Sequence, residues 1–289
     1  MEITSLNNTS DNVKHGEEMG HLAGLLFNRS SHEWVRGVGL EMVTGLLMVA
    51  ISEINLPHEL KLMLALLGFI LFGVAYYLRY ESEDTFDTAE TMRRQAALSE
   101  GLGWPTNSHQ FAEWKSRAGL KVLHEFKNTS RPGDYWSTKT PAGPKRLLEL
   151  TIESGFWTRK LYKKLRRLMW LALFIIFGGA VLMVCLSIIK VMPGAEEAQL
   201  ISSVFLLLPA VLVFDILEWI LRLNRLVDNI KEVEIDMDKV VDLPELNEIS
   251  AMRLVAEYNA VVSNGFPIHP FLYKIWHEEI GELWDTRAQ

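Results

Sequence analysis

Three acidic residues lie where acids are costly. Glu41, Asp215 and Glu218 fall inside, or at the edge of, long apolar runs. An ionisable group in such a run faces a bundle interior or water. Two arrangements follow. The acids can line a vestibule and, in an oligomer, form an acidic ring that favours cations. Alternatively they pair locally as anchors, Glu41 near Arg36 and Glu218 with Arg222 at i,i+4. A second candidate is the loop RPGDYWSTKTPAGPKR, which joins Arg131, Lys139, Lys145 and Arg146 to Tyr135 and Trp136. Cations beside aromatic faces suit a small anionic ligand with a base to stack. They equally suit a plain basic loop near anionic lipid. Just downstream, Glu153 and Trp157 in the string ESGFWT are candidate gating residues.

Signatures of catalysis are missing. There is no GxSxG, no P-loop and no HExxH, and HEEIG at His277 lacks the second histidine. His269 and His277 are eight apart with Pro270 between them, which argues against a shared metal. Cys185 is the only cysteine, so an intramolecular disulfide and a multi-cysteine metal cluster are excluded; within an apolar run it reads as structural. The GLG string at Gly101 follows a helix and reads as a C-cap rather than a phosphate cradle. No enzyme, cofactor or metal is expected, and a net charge of -7 argues against a DNA partner.

The elements that must position these residues are four apolar segments, at about 36–53, 61–79, 168–190 and 198–221. Each has about 18–24 residues, or about 27–36 Å as a helix, which matches a hydrocarbon core of about 30 Å. Such segments can also be buried helices of a large soluble domain. The long uncharged runs of the last three favour membrane spans, while Glu41 makes the first the weakest. Two hairpins are expected, joined by INLPHEL with Pro57 and by VMPGAEEA with Pro193. Pro209 predicts a kink in the fourth segment, and Gly178 and Gly179 allow close contact in the third.

Charge gives an orientation. Of 29 Lys and Arg, 17 lie between Arg79 and Arg167, and the hairpin tips hold only the flanking Lys61 and Lys190. The tips are therefore expected outside. Residues 1–35, 80–167 and 222–289 are expected in the cytoplasm, which leaves the Asn-x-Ser/Thr sites at Asn8, Asn28 and Asn128 without glycans. The polar, acidic start is not a signal peptide, and neither end carries a lipidation motif. Trp34, Tyr76, Tyr77, Tyr80, Trp170 and Trp219 form an aromatic belt at that interface.

The cytoplasmic parts read as helices. One continues out of the second segment to GLGWP, HQFAEWKSRAGLKVLHEFK is another, and LLELTIESGFWTRKL runs into the third segment. The fourth segment continues to about Val241, and EISAMRLVAEYNAVVSNG follows. FPIHP is a rigid turn before a helix whose apolar set Phe271, Leu272, Ile275, Trp276, Ile280 and Trp284 must be buried, most simply against the central region of the same or a neighbouring chain. Residues 79–167 carry 17 basic and 11 acidic groups, a balance of +6; residues 222–289 carry 7 and 13, a balance of -6. The two either dock on each other or are separately a positive-inside signal and a solvated acidic face.

The strings AETMRRQAALSEGLGW, DYWSTKTPAGPKRLLELTIESGFWTRKL and LVAEYNAVVSNGFPIHPFLYKIWHEEIGELW, with this layout, resemble bacterial four-transmembrane effectors of cyclic-oligonucleotide-type (CBASS-like) antiphage systems. The resemblance covers most of the chain from about residue 30. It implies a membrane-disrupting defence effector of the inner membrane, released by a nucleotide signal or infection cue. No catalytic residue is carried over. The combined expectation is an all-α, four-span, multi-pass protein with both termini cytoplasmic. Its expected partners are the bilayer, further copies of itself, and a cyclic nucleotide signal or associated nucleotidyltransferase system. A non-toxic channel, transporter subunit or signalling protein is the alternative, and a membrane-bound enzyme the third.

Overall fold

The computed structural model describes the backbone of residues 2–53, 56–130, 136–190 and 196–288. Side chains are described throughout these, except at 2–10, 46, 49, 50, 52, 53, 58, 180–190, 196–214 and 288. The described residues form seven helices and no strand: α1 (Glu2–Glu53), α2 (His58–Leu102), α3 (Ser108–Asn128), α4 (Pro144–Lys190), α5 (Glu196–Val240), α6 (Glu248–Val262) and α7 (Pro270–Ala288). The chain is all-α.

The helix ends follow local chemistry. α4 opens on Pro144, whose missing N–H would be unpaired there in any case. Asn107 caps α3 by accepting from the N–H groups of His109 and Gln110, and Asn247 caps α6 by accepting from Ser250. The C-cap expected at GLG falls on Gly103, which takes a φ of 71° and donates its N–H to the Ser99 carbonyl at 2.9 Å. α3 is broken at Gly119, φ 78°, and Arg29 Nη1 donates to the carbonyl of Ala118 beside that break at 3.1 Å.

Two compact units result. Unit one comprises Met1–His32, Glu81–Tyr162 and Arg225–Gln289; unit two comprises Glu33–Tyr80 and Lys163–Asn224. α1, α2, α4 and α5 each contribute to both without a break.

Unit one is organised as a water-soluble helical body is. Met19, Leu22 and Leu26 of α1 pack on Ala89 and Met92 of α2 and on Phe111 and Trp114 of α3. Leu147, Leu148 and Ile152 of α4 pack on Met237 of α5 and on Ala251 and Val255 of α6. Each such large side chain contributes about 1.5–3 kcal/mol by leaving water. The start of α1 is a finding beyond the sequence reading, which treated residues 1–35 only as a polar segment.

α7 buries part of its apolar set against the central region, as expected. Ile280, Trp276 and Trp284 pack on Phe156 and Leu161 of α4, but Phe271 and Ile275 are exposed. The six residues span too wide an arc for one face. The buried stripe is the i, i+4, i+8 series at 276, 280 and 284, and Phe271 and Ile275 lie off it.

Unit two is inverted. Leu62, Met63, Leu66 and Phe69 of α2, with Phe174 and Ile175 of α4, point outward, Phe69 being 77% exposed, while Glu41 is buried. Among the described residues α2 is the one helix long and apolar enough to cross a membrane, and only 11% of its most apolar stretch is buried. Four of the belt aromatics, Tyr76, Tyr77, Tyr80 and Trp170, are exposed. A Cβ on Gly178 or Gly179 would meet nothing within 4 Å, so the expected close contact is not made there by described atoms. Pro193 and the side chains of Cys185 and Pro209 lie outside the described residues.

Candidate functional site

Unit two gathers two of the three predicted acids. Arg79, near the middle of α2, donates from Nη1 to Glu41 Oε2 on α1 at 3.1 Å, and the same nitrogen lies 3.7 Å from Asp215 Oδ2 on α5. Its guanidinium also sits over the Trp219 ring, 5.2 Å from the centroid, and Trp219 packs against Trp34 at 5.1 Å. Two of the predicted belt aromatics thus wall a charge node instead of facing outward.

The node is held by a close helix approach. A Cβ on Gly37, one turn before Glu41, would lie 2.9 Å from both the Ala75 carbonyl oxygen and Arg79 Cγ. Glycine there lets α1 and α2 meet closely enough for the ion pair. Thr44, the next turn inward from Glu41, is buried with its hydroxyl unpaired among the described residues. Among the described residues one guanidinium faces two carboxylates. Glu41 therefore takes its charge partner from another helix rather than from Arg36, and Glu218 is exposed outside the node.

In unit one, Arg131 and Tyr135 lie outside the described residues. The remaining loop is clamped onto α4 and α2. Glu153 is buried and accepts from Ser137 through its N–H at 3.0 Å and its hydroxyl at 2.8 Å. Burial pushes the Glu153 carboxyl above its usual range, against the pull of the two Ser137 bonds. Thr138 donates to Glu149, and Trp136 Nε1 donates to Glu100 Oε2 at 2.5 Å. Arg146 holds the Glu100 and Thr140 carbonyls at 2.9 and 2.6 Å. Lys145 pairs with exposed Asp242 at 2.7 Å, which raises the lysine above its usual value through that hydrogen bond and charge. Lys139 is exposed. The loop's described polar groups thus mostly hold the loop itself.

Trp157 stacks on His277 of α7 at 5.0 Å, with Tyr273 at 6.2 Å. Glu234 of α5, buried, accepts from Arg159 at 2.6 Å and also from Arg287, which reaches Asp238 at 2.5 Å as well. Among the described residues the basic centre and acidic tail meet at Arg159–Glu234 and Lys145–Asp242. His269 is not near His277; its ring lies 4.6 Å from His32, and burial lowers its pKa. No group of three metal-ligating side chains occurs among the described residues.

Sequence reasoning missed Arg79, Arg93 and Tyr162. Arg93 is held bidentate by Glu90 and lies over the Tyr258 ring at 5.4 Å. Tyr162 accepts from the Phe266 N–H at 3.0 Å and donates to its carbonyl at 3.1 Å. Arg93, Trp136, Ser154, Tyr258 and Asn259 line a cavity of about 90 Å³. That volume suits a few ordered waters and is well below the roughly 300 Å³ of small-molecule sites.

Comparison with family models, with curated proteins and with solved structures returned no match for this chain.

Proposed function

We propose that this chain is a multi-pass effector of the bacterial inner membrane that permeabilises the bilayer in antiviral defence, an abortive-infection response gated by its cytoplasmic helices. The observation that carries the membrane part is the inversion of unit two: apolar side chains outward along α2 and α4, a charged node within. Outward apolar surface of that extent is stable against lipid and unfavourable against water. Four spans, with both termini in the cytoplasm, follow from the four apolar segments and the concentration of Lys and Arg between Arg79 and Arg167.

The defence role rests on the resemblance of the cytoplasmic strings to CBASS-like effectors. In that reading a nucleotide signal or infection cue acts on unit one of an oligomer. α1, α2, α4 and α5 run unbroken into unit two, so a change in unit one reaches the spans through continuous helix. Arg79 ties three of those helices' segments only while Glu41 and Asp215 both stay beside it; separating them leaves carboxylates to favour cations in the opening.

Induced expression tests the proposal. Wild type is expected to arrest growth and dissipate the membrane potential, and disrupting the apolar run of α4 or α5 is expected to abolish both. An unchanged potential at high expression, with infection and cyclic nucleotides each supplied as trigger, overturns it in favour of a non-toxic membrane protein.

A further inference from the structure

The cavity of unit one is too small for most metabolites, but it has the size of a single functional group. Its room comes from small residues of α1 and α2, among them Gly24 and Ala96. A Cβ on Gly24 would meet nothing within 4 Å, so this glycine opens onto free space. Phe27, Trp136 and Tyr258 give it aromatic walls. A cavity of about 150 Å³ holds the six carbon atoms of benzene, and by that measure one of about 90 Å³ holds about four non-hydrogen atoms.

Two donors on its lining are unused. Arg93 directs Nε and Nη2 to Glu90, and Nη2 also to Asn259 Oδ1 at 3.2 Å. Among the described residues its Nη1 makes no hydrogen bond. Because Asn259 Oδ1 accepts from an arginine, Nδ2 carries the amide hydrogens. Those hydrogens also lack a partner among the described residues. Neither nitrogen is sealed in, since the buried unpartnered side-chain atoms there are Thr44 Oγ1 and Arg94 Nε. The space that Arg93 and Asn259 both border is the cavity. An acceptor borders it too. Thr151 of α4 donates its hydroxyl to the Leu147 carbonyl at 2.7 Å, which leaves lone pairs on the Thr151 oxygen.

Charge selects among ligands. Arg93 already has a carboxylate in the bidentate Glu90, so a second anion would enter uncompensated. A neutral carbonyl accepts from both donors without that cost, and an adjoining NH2 has the Thr151 oxygen to meet. Aromatic walls suit a planar group. We infer that this cavity binds a primary amide of about four non-hydrogen atoms, its oxygen accepting from Arg93 and Asn259 and its NH2 donating to Thr151. Bound there, the amide bridges α2, α4 and α6 within unit one.

The test is saturation-transfer NMR on the detergent-solubilised full chain, with acetamide as the probe beside acetate and acetone, which match it in size. Acetamide is expected to bind with a Kd of about 1–10 mM, in keeping with so small a ligand. Acetate and acetone are expected to bind at least about fivefold more weakly, each lacking a hydrogen bond or bringing a charge. Gly24→Val fills the open space and is expected to abolish the acetamide signal. Asn259→Leu keeps the Glu90 contact of Arg93, removes the amide donors, and is expected to weaken acetamide about fivefold, as the loss of one hydrogen bond does. Melting curves show whether each variant is folded, and Asn259→Leu decides alone if Gly24→Val is not. Acetate or acetone matching acetamide overturns the assignment, as does acetamide binding that the folded variants leave unchanged. Absence of saturation transfer up to about 100 mM leaves the cavity to water alone and also overturns it.

Discussion

Arg79 Nη1 lies 3.1 Å from Glu41 Oε2, and the two residues stand 38 positions apart on different helices. The Glu41 side chain is 7% exposed, against 21% for Arg79. Arg79→Met strands a buried carboxylate and is expected to cost about 3–5 kcal/mol. Glu41→Gln in the same chain recovers part of that loss, with a coupling of about 1–3 kcal/mol. Denaturant unfolding of the single and double variants in detergent measures the cycle. A coupling near zero shows that the pair does not hold the helices.

Gly37 and Gly39 make a matched pair. A Cβ at 37 meets the Ala75 carbonyl and Arg79 Cγ at 2.9 Å, whereas one at 39 meets nothing within 4 Å. Gly37→Ala is expected to cost about 1–3 kcal/mol by forcing α1 and α2 apart. Gly39→Ala is expected to be neutral or up to about 1 kcal/mol stabilising, because alanine is the better helix former. Equal thermal shifts for the two substitutions contradict the close approach at Gly37.

Asp215 shares Arg79 with Glu41, so that two acids face one guanidinium among the described residues. Asp215→Asn removes one of the two acids and is therefore expected to reduce the preference for cations over anions severalfold in planar-bilayer conductance of the triggered protein. Unchanged flux and selectivity detach the acids from the permeation path.

Glu153 ties a pH dependence to the clamped loop. Its folded pKa is raised, chiefly by burial, so the folded chain holds this proton more tightly than the unfolded chain does. The resulting stabilisation is present below the unfolded glutamate pKa and is lost as pH rises through the folded one. Glu153→Gln keeps an acceptor for Ser137 and removes the titration. Melting temperatures of the two proteins are expected to converge, or to cross in favour of the glutamine variant, on going from acid to neutral pH. A difference constant with pH rules out this site as the source.

Tyr162 is the tie between α4 and the turn before α7. Burial pushes its hydroxyl pKa up, so it remains a donor to the Phe266 carbonyl. Tyr162→Phe removes both hydrogen bonds to the Phe266 backbone and is expected to cost about 1–3 kcal/mol. Unfolding in denaturant measures it, and wild-type stability in this variant shows that the tie is dispensable. The turn residue Gly265 is required by closeness, since its Cβ would clash with the Tyr162 hydroxyl and lie 2.8 Å from the Val262 carbonyl oxygen.

The local structure was legible where the signal was local. GLGWP and FPIHP mark helix ends that the structure places within a few residues of the reading. The helix through residues 2–35 was missed because polar composition masked its spacing: Met19, Leu22, Ala23 and Leu26 recur at i, i+3, i+4 and i+7 and form its buried stripe. Glu41 and Asp215 stood out as acids in apolar runs. Arg79 did not, because at the end of a span it reads as an ordinary boundary cation. Which cation meets which acid depends on helix rotation and packing, and a one-dimensional charge pattern carries neither. The same limit explains α7, where an apolar set was legible but its division between a buried stripe and an exposed face was not.

The membrane reading is tested most directly by thiol accessibility in intact cells. In the Cys185→Ser chain, single cysteines are placed by Glu59→Cys, at the start of α2 beside the first hairpin tip, and by Leu120→Cys in α3. A membrane-impermeant maleimide added from the periplasmic side is expected to label position 59 in intact cells, and position 120 only after lysis. Labelling of position 120 in intact cells, or of position 59 only after lysis, contradicts the four-span arrangement with both termini in the cytoplasm.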